Sequence, residues 1–342
     1  MNFLSDNAYG AAPQMLEALA AANGGVAAPY GADPITERLR AEMARVFERD
    51  VGVFPVATGT AANALALATL VPQHGAIFCH RDAHISVDEC GAPEFFTHGA
   101  KMVTLGGAHA KLTADRLEDA VTPFQKGIVH HAQPAAVSLT QATELGTCYR
   151  PEEIAALAAT ARKHGMKVHL DGARFANAVA HLGCTPAELT WRAGVDALSF
   201  GATKNGAFGA EAVVFFNAAD ARDFEYRRKK AGHLVSKMRF VSAQLLASLE
   251  DRRWLRWAGR ANAQAARLAR TLEDSGAEIA HPVESNAIFV SFPDAVVAKL
   301  RAGGAHFYDW GTPTHGRTLV RLVVSFATPD DNIDRFIALV RR

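Results

Sequence analysis

The chain has 342 residues, of which 49% are hydrophobic and 21% charged, and its formal net charge is +1. This composition is ordinary for a globular protein, and the near-neutral balance excludes a whole-surface attraction to nucleic acid or to an anionic membrane. Because one hydrophobic core rarely serves so many residues, we expect two domains.

No apolar run reaches the roughly 18 residues that a membrane span needs. Residues 1–7 have neither the basic region nor the apolar core of a secretory signal peptide. The four cysteines are scattered and show no CxxC spacing, which is typical of reduced thiols. We therefore expect a cytoplasmic protein without a metal site.

The first part of the chain alternates between predicted helices and strands. A short helix is predicted over about 13–22, and an amphipathic helix over about 34–49. Between them, turn-forming residues surround Tyr30, so we expect a loop that can lie over a site. An apolar helix then runs to Leu70 and is stopped by Pro72. Strands are predicted at residues 76–79, 102–105 and 135–139.

The apolar helix is introduced by a Thr-Gly-Thr turn at residues 58–60. A helix start exposes free N–H groups and the positive end of the helix dipole, so Gly59 and Thr60 are candidates to bind a phosphate. Ordinary capping by Thr58 or Thr60 explains the same residues, and the motif alone leaves both interpretations open.

The alternation continues with a helix from Pro151 to about His164 and two further strands, 167–171 and 195–200. Strands that alternate with helices predict a mainly parallel sheet covered by helices.

The rest of the chain has the pattern of a smaller α+β domain. A basic cluster precedes a long helix, which we predict over about 241–272 with a break near Gly259. We place the domain boundary in this helix, which gives a large domain of residues 1–243 and a small domain of residues 244–342. Two strands and a last helix are predicted at residues 288–290, 319–324 and 329–340.

One lysine lies between two apolar strands. The strand 195–200 leads through a short loop to Lys204, and residues 212–216 are apolar again. Loops held by rigid strands often carry reactive side chains. A solvated surface lysine is the ordinary alternative, but the flanking residues are almost uncharged. A lysine among apolar groups has a lowered pKa and can form a Schiff base.

An aspartate ends the neighbouring predicted strand. A glycine follows Asp171 and turns the chain into a helix, so Asp171 lies at the carboxyl end of a strand, where open α/β sheets bind ligands. An N-cap of that helix is the alternative interpretation. Together with Lys204, however, Asp171 predicts a pyridoxal phosphate site. The lysine then holds the aldehyde as an imine, and the aspartate pairs with the protonated pyridine nitrogen.

Arg321 is a charge inside an apolar strand. It is either a strand-edge arginine that points to solvent or a two-bond clamp for a carboxylate.

These pieces, in this order, resemble the low-specificity L-threonine aldolases, which belong to the β-eliminating lyase group of fold-type-I pyridoxal-phosphate enzymes. The resemblance covers nearly the whole chain. It implies an α/β large domain like that of aspartate aminotransferase, with a mainly parallel seven-stranded sheet, and a small carboxyl-terminal α+β domain. The matching segments are residues 5–7, 30–33, 58–63, 83–85, 171–174, 199–204 and Arg321.

The resemblance implies how the cofactor is held. Lys204 is the Schiff-base lysine, and Asp171 pairs with the pyridine nitrogen. Gly59 and Thr60 hold the phosphate at the helix start. His84 stacks on the cofactor ring and is also the candidate base.

The resemblance implies a substrate site and a subunit contact as well. Ser5, Arg174 and Arg321 bind the substrate carboxylate, Arg174 also lies against the cofactor, and Tyr30 belongs to the substrate site. Basic residues of a neighbouring subunit complete the phosphate site. The candidates here are Lys230 and Arg239, so we expect a homodimer or homotetramer with shared active sites.

The chain departs from the family pattern in two places. Many members carry a substrate-facing histidine in the loop after the strand that matches 135–139, whereas the loop 140–144 has none. The glycine run that usually follows the basic cluster is replaced at residues 232–237. The first variant is similar to phenylserine-type aldolases, and it leaves the substrate side chain and the identity of the base open.

The implied reaction is the retro-aldol cleavage of L-threonine, L-allo-threonine or a related β-hydroxy-α-amino acid to glycine and an aldehyde, with pyridoxal phosphate as the cofactor. Alternatives on the same scaffold are a phenylserine aldolase, an L-threonine transaldolase, or another pyridoxal-phosphate lyase or racemase. A cofactor-free Schiff-base enzyme and a non-catalytic binding protein are the alternatives from other classes. No nucleic-acid or membrane partner is expected.

Overall fold

The computed structural model describes residues 1–341. The helices in this range are α1 Pro13–Ala22, α2 Pro34–Val46, α3 Gly59–Leu70, α4 His84–Val87, α5 Ala92–Phe96, α6 Ala114–Val121, α7 Pro151–Lys163, α8 Phe175–Leu182, α9 Phe224–Lys230, α10 Arg239–Leu249, α11 Arg253–Asp274, α12 Asp294–Ala302 and α13 Asp330–Arg341. The strands are β1 Gly52–Val56, β2 Gly75–His80, β3 Lys101–Leu105, β4 Gln133–Thr140, β5 Lys167–Gly172, β6 Ala197–Gly201, β7 Glu211–Phe215, β8 Glu278–Ile279, β9 Ala287–Pro293, β10 Tyr308–Asp309 and β11 Arg317–Val323.

Seven strands form one large sheet in the order β1-β7-β6-β5-β4-β2-β3. Only β7 runs antiparallel to its neighbours, β1 and β6. The prediction of a mainly parallel seven-stranded sheet is therefore confirmed. The register pairs Thr140 with Asp171 and Asp171 with Ser199. Because these strands are parallel, their carboxyl ends meet at one edge of the sheet.

Helix α3 is buried on every side, with the eight residues from Ala61 to Ala68 all withdrawn from solvent. A helix that is apolar all round belongs inside a core, and α3 packs against the sheet, α5 and α9. The single polar side chain among these eight residues is Asn63, at 2% exposure. A buried amide needs hydrogen-bond partners; Nδ2 of Asn63 finds two acceptors near the edge of the sheet, whereas its Oδ1 has no partner among the described residues.

The four-stranded sheet, in the order β10-β11-β9-β8, is antiparallel and carries its own core. Helices α11, α12 and α13 cover it, and Phe3 from the start of the chain is fully buried in the same core. The backbone of Phe3 donates to His306 O at 2.8 Å and accepts from Val323 N at 2.9 Å. We retain residues 1–243 and 244–342 as the proposed domains, with Phe3 fastened to the second one.

The prediction of one long helix broken near Gly259 was wrong. The break lies between α10 and α11, because Asp251 and Arg252 have φ values of +52° and +55°. Gly259 lies inside α11, where a glycine costs about 1 kcal/mol relative to alanine, and the packing of α11 on α8 outweighs this cost. Even α11, the longest helix at 22 residues, is not apolar enough to cross a membrane, and neither is any other helix described.

Candidate active site

A cavity of about 390 Å³ lies where the parallel strands of the large sheet have their carboxyl-terminal ends. Thr140, Asp171 and Ser199 reach it from the ends of β4, β5 and β6, and the start of α3 forms another wall. Of the residues predicted for the site, those that line the cavity are Gly59, Thr60, His84, Asp171, Arg174 and Lys204. Ser5, Tyr30, Lys230, Arg239 and Arg321 lie outside its wall.

Lys204 lies in a single 3₁₀ turn, Thr203–Asn205, between β6 and β7. Gly206 ends this turn with a φ of +102°, and a side chain there would also press on Trp257, so the position requires glycine. Burial lowers the pKa of Lys204, and the nearby charge of Arg174 lowers it further. Its Nζ makes no hydrogen bond within residues 1–341. The amine is therefore held among buried groups without a fixed partner, as a nucleophilic lysine requires.

Asp171 is 3% exposed and both of its oxygens are occupied. Oδ1 accepts from Ala173 N at 3.0 Å, which stabilises the turn before α8, and Oδ2 accepts from Asn63 Nδ2 at 2.8 Å. The N-cap of α8 is Arg174, so the N-cap alternative for Asp171 was wrong. The carboxylate is oriented from two sides and faces the cavity.

A chain of hydrogen bonds connects Asp171 to His84. Asn63 Nδ2 donates to Glu89 Oε1 at 2.8 Å as well as to Asp171, and His84 Nδ1 lies 2.9 Å from the same oxygen of Glu89. The side chain of Glu89 is fully buried. Its hydrogen bond raises the pKa of His84. The ring of His84 is therefore fixed by a buried carboxylate.

The start of α3 leaves free donors at the other end of the cavity. Thr58 is the N-cap, and its Oγ1 accepts from Ala61 N at 3.2 Å. The N–H groups of Gly59 and Thr60 have no acceptor in the part of the chain that the structure describes. A Cβ at Gly59 would meet nothing within 4 Å. Capping by Thr58 is confirmed, and it coexists with an open cradle of N–H groups.

Arg174 and Asp6 form a two-bond ion pair beside the cavity. Nε and Nη2 of Arg174 donate to Asp6 at 2.9 and 2.8 Å, and Asn286 Nδ2 donates to the same carboxylate at 3.1 Å. Burial opposes the charge on Asp6, but Arg174 holds the pKa of that carboxyl below its usual value. The pair fixes the plane of the guanidinium group and leaves its Nη1 for a ligand.

Arg321 lies on β11, which is flanked by β9 and β10, so it is not a strand-edge residue and that alternative was wrong. Its guanidinium group lies 5.5 Å from the ring of Tyr308 and 5.0 Å from that of Trp310. Nη2 lies 3.4 Å from Leu4 O, next to Ser5, and the buried Nε has no partner among the described residues. Arg321 thus packs against two aromatic rings, and its Nε is a buried donor that no described residue engages.

The basic segment, residues 227–239, lies away from the cavity of its own chain. Lys230 is exposed at the end of α9. The guanidinium group of Arg239 lies over Phe240 at 5.5 Å, and its buried Nε has no partner within residues 1–341. Tyr30 is 45% exposed and lies under the ammonium group of Lys229 at 4.8 Å.

Two further carboxyl groups line the cavity. Glu144 accepts from His84 N at 3.0 Å, and Glu211 accepts from Thr203 N at 3.3 Å. Burial raises the pKa of each of them to about 7. Both therefore exchange a proton near neutral pH, which exposed glutamates do not do.

The family model of the β-eliminating lyases matches residues 2–295. The low-specificity L-threonine aldolase of Pseudomonas sp. (strain NCIMB 10558) is 43% identical over 340 residues, which cover 99% of this chain and 96% of that protein. The chain belongs to this family of lyases. The low-specificity L-threonine aldolase of Pseudomonas aeruginosa is 46% identical over 309 residues, which cover 90% and 89% of the two chains. The threonine aldolase structure of Leishmania major superposes with a TM-score of 0.94 at 28% identity and covers 100% of this chain and 98% of that one.

As a β-eliminating lyase of the threonine aldolase type, the protein uses pyridoxal phosphate. The cavity suits this group. The free N–H groups at the start of α3 fit its phosphate, and the oriented Asp171 carboxylate fits a protonated ring nitrogen. Lys204 offers an amine without a hydrogen-bond partner in residues 1–341, which fits its aldehyde.

Among the residues of the site that were not assigned a role from the sequence are Asp6, Asn63, Glu89, Glu144, Glu211 and His233. Asn63 was detectable as the lone amide in an apolar helix, and Asp6 stands in the matching segment 5–7. Glu89 and His233 carried no such signal. His233 Nδ1 accepts from Ala57 N at 3.3 Å and so anchors the backbone before the phosphate cradle.

Proposed function

We propose that the protein cleaves L-threonine, L-allo-threonine and related β-hydroxy-α-amino acids to glycine and an aldehyde. The observation that carries this proposal is the free Lys204 amine in the same cavity as the oriented carboxylate of Asp171. The similarity to relatives named low-specificity L-threonine aldolases supports the substrate class.

When bound, pyridoxal phosphate supplies an electron-withdrawing ring that makes the Cα–Cβ bond of an attached amino acid easy to break. In the proposed site, Lys204 binds its aldehyde, and Asp171 keeps a proton on its ring nitrogen. Gly59 and Thr60 bind its phosphate through backbone N–H groups, and His84 packs on its ring. Asn63 and Ala173 fix the carboxylate of Asp171, so this charge needs no rearrangement when the group binds.

We assign the substrate carboxylate to Arg174, Arg321 and Ser5. Asp6 occupies two donors of Arg174, and Arg321 retains its buried Nε. The two guanidinium groups are close enough that Arg174 contributes to a lowered pKa of Arg321, after the larger effect of burial. A carboxylate placed between them would relieve this repulsion, which favours binding of an amino acid over an amine or an ester.

The active assembly in this proposal is a homo-oligomer with shared sites. A phosphate carries close to two negative charges, and one helix start offsets only about half a charge. Among the described residues of one chain, no further cation lines that end of the cavity. We therefore propose that Lys230 and Arg239 reach the phosphate of a neighbouring subunit, with Tyr30 near the same boundary.

The test uses the purified protein loaded with pyridoxal phosphate. We expect a visible absorbance band that borohydride removes, and release of glycine and acetaldehyde in equal amounts from L-threonine. Absence of the band would favour a cofactor-free enzyme or a binding protein. A band together with racemised or transaminated amino acid, but no aldehyde, would replace the aldolase by another reaction on the same cofactor.

A further inference from the structure

The loop after β4 holds one acidic side chain at the wall of the cavity. Gln141 fastens this loop through two bonds to the backbone of Tyr149, at 2.7 and 2.9 Å. Thr143 closes it through its N–H, which donates to Thr147 O at 2.8 Å. Because both ends of the turn are tied, the position of Glu144 is set by the backbone.

The carboxyl group of Glu144 has one oxygen bound and one oxygen free. Oε1 accepts from His84 N at 3.0 Å, which orients the group. Oε2 is buried and makes no hydrogen bond of regular geometry within residues 1–341, although the side chain of Thr140 lies close enough to the carboxyl group to lower its pKa against the larger effect of burial. A buried oxygen without a partner is costly unless a ligand supplies a donor. Glu144 lines the same cavity as Lys204 and Arg174, so a substrate bound there is placed to supply that donor.

Three other groups of the cavity are less suited to accept a proton from the substrate. Glu89 is fully buried, and although its Oε2 also has no partner among the described residues, its Oε1 is engaged by both Asn63 and His84. Glu211 accepts from Thr203 N at 3.3 Å and interacts with the charge of Lys204. Nδ1 of His84 is engaged by Glu89, and this hydrogen bond raises the pKa of the ring. Burial gives Glu144 a pKa of about 7, and a base works best when its pKa lies near the working pH.

We propose that Oε2 of Glu144 accepts the proton of the substrate β-hydroxyl group during cleavage and returns it in the reverse reaction. This inference rests on the proposed aldolase function. As the O–H bond breaks, its electron pair forms the second C–O bond of the aldehyde, and the Cα–Cβ bond breaks. The electron pair of that bond stays on Cα, which takes up a proton to give glycine. The proton on Glu144 leaves to solvent before the next turnover.

The test compares two reactions of Glu144→Gln in the loaded protein. Cleavage of L-threonine needs the β-hydroxyl base, whereas exchange of the α-hydrogen of glycine in D₂O needs only the cofactor site and the carboxylate clamp. We expect cleavage to fall by about 10² to 10⁴, the range for loss of a general base. Exchange, followed by NMR, should stay within about threefold, a barrier change of ~0.6 kcal/mol.

The matched control is Glu94→Gln. Glu94 also has a buried carboxyl oxygen without a partner in the described residues, but it does not line the cavity. Both reactions of this variant should equal those of the parent. The cofactor absorbance band and the melting temperature of each variant report whether the site is intact. If Glu144→Gln does not fold, Glu144→Asp takes its place, with a smaller loss of cleavage and unchanged exchange.

Three outcomes overturn the proposal. Undiminished cleavage by Glu144→Gln would show that another group takes the proton. An equal loss of cleavage and exchange in a folded, cofactor-loaded variant would assign Glu144 to the cofactor or to the carboxylate. A loss of cleavage in Glu94→Gln as large as that in Glu144→Gln would make the effect unspecific. If the parent exchanges glycine but does not cleave L-threonine, the proposed function itself fails.

Discussion

The floor of the cavity and the basic segment differ in how far their polar groups find partners within one chain. In the floor, formed by Asn63, Asp171 and Lys204, both carboxylate oxygens of Asp171 find donors and the amine lies among buried groups, although Oδ1 of Asn63 is buried without a partner in residues 1–341. In the basic segment, the Nε atoms of Arg227, Arg228 and Arg239 are buried without a partner in residues 1–341, and Lys230 is exposed.

This difference separates two kinds of contribution to binding. A polar group that already has its partners is preorganised, and it loses little freedom when a ligand arrives. Cations without partners are available to bind an anionic group of a neighbouring molecule. The comparison therefore predicts that changes to the floor affect the chemistry, whereas changes to the basic segment affect assembly and cofactor retention.

The largest effect is expected from Lys204→Ala. Without the amine we expect turnover to fall by at least about 10⁴, or ~5.5 kcal/mol, while pyridoxal phosphate still binds weakly through Asp171 and the start of α3. Steady-state cleavage and the visible spectrum measure the two properties. Lys126→Ala, which changes an exposed lysine, is the control. Full turnover without Lys204 would refute the assignment of the whole site.

Asp171→Asn is expected to lose most of the activity, by about 10²-fold or more, or ~2.7 kcal/mol. Asn63 and Ala173 donate to different oxygens of Asp171, and an amide has an NH₂ group in place of one of them, so one of these hydrogen bonds is lost. Losing one of these bonds should also lower the unfolding free energy by about 1–3 kcal/mol. Kinetics and a denaturant titration check both effects. Activity within about threefold of the parent would reduce Asp171 to a turn residue.

Arg321→Lys is expected to raise KM by about tenfold, or ~1.4 kcal/mol, with a smaller change in kcat. A lysine is a point charge and cannot make a planar two-bond contact with a carboxylate. Amino-acid methyl esters, which lack the carboxylate, should be poor substrates of the parent. Equal rates on acid and ester would show that Arg321 has another role in the four-stranded sheet.

The basic segment is tested with Lys230→Ala and Arg239→Ala combined. We expect the dissociation constant of pyridoxal phosphate to rise by about tenfold, or ~1.4 kcal/mol, without a loss of the fold. Lys237→Ala, in the same segment, is the control. Mixing the double variant with Lys204→Ala, after dissociation and reassociation, should restore part of the activity, because a hybrid contains an intact shared site. A fully active monomer in light scattering would contradict the shared site.

The smallest effect on turnover is expected beneath the floor, where a buried histidine affects the stability of the fold. His169 is fully buried between the hydroxyl groups of Ser138 and Ser199, at 2.9 and 3.0 Å. Burial lowers its pKa from 6.5 to about 4. Between these values the unfolded chain binds the extra proton, so unfolding free energy rises with pH and is lost as pH falls from 6.5 towards 4.

We expect His169→Gln to weaken this pH dependence by up to roughly 1.4 kcal/mol per pH unit. Denaturant titrations of the cofactor-free protein at several pH values between 4 and 6.5 measure it. His130→Gln, at an exposed histidine, should leave the slope unchanged. The same slope in parent and His169→Gln would show that burial of His169 does not oppose its protonation.

The large sheet and the reactive pair were predictable because their signals are local. Apolar strands alternate with helices along the chain; Asp171 lies at the end of one such strand, and Lys204 lies in the turn after another. The connections were not predictable, because they join distant parts of the sequence. Asn63 and Asp171 are 108 residues apart, and Arg174 and Asp6 are 168 apart. No periodicity encodes a pairing of single polar side chains over such distances.

The wrong helix break has a similar cause. A glycine inside a helical pattern suggests an interruption, but tertiary packing carries α11 through Gly259. At the true break, Asp251 and Arg252 have left-handed backbone conformations. Neither residue is a glycine, so the sequence gives no sign of the break. Strand β1, Gly52–Val56, was also missed, since proline at position 55 has no N–H to donate and argues against a strand unless that position faces away from a partner.

The attachment of Phe3 to the second core has a consequence for the order of events during synthesis. Phe3 leaves the ribosome early, but its backbone partners, His306 and Val323, emerge some three hundred residues later. Until then the segment that carries Asp6 lacks this attachment to the second core, which helps to place Asp6 against Arg174. The seven-stranded sheet can thus form while translation is under way, but the carboxylate clamp is finished only after Val323 has been released, by closure of a contact that spans most of the chain.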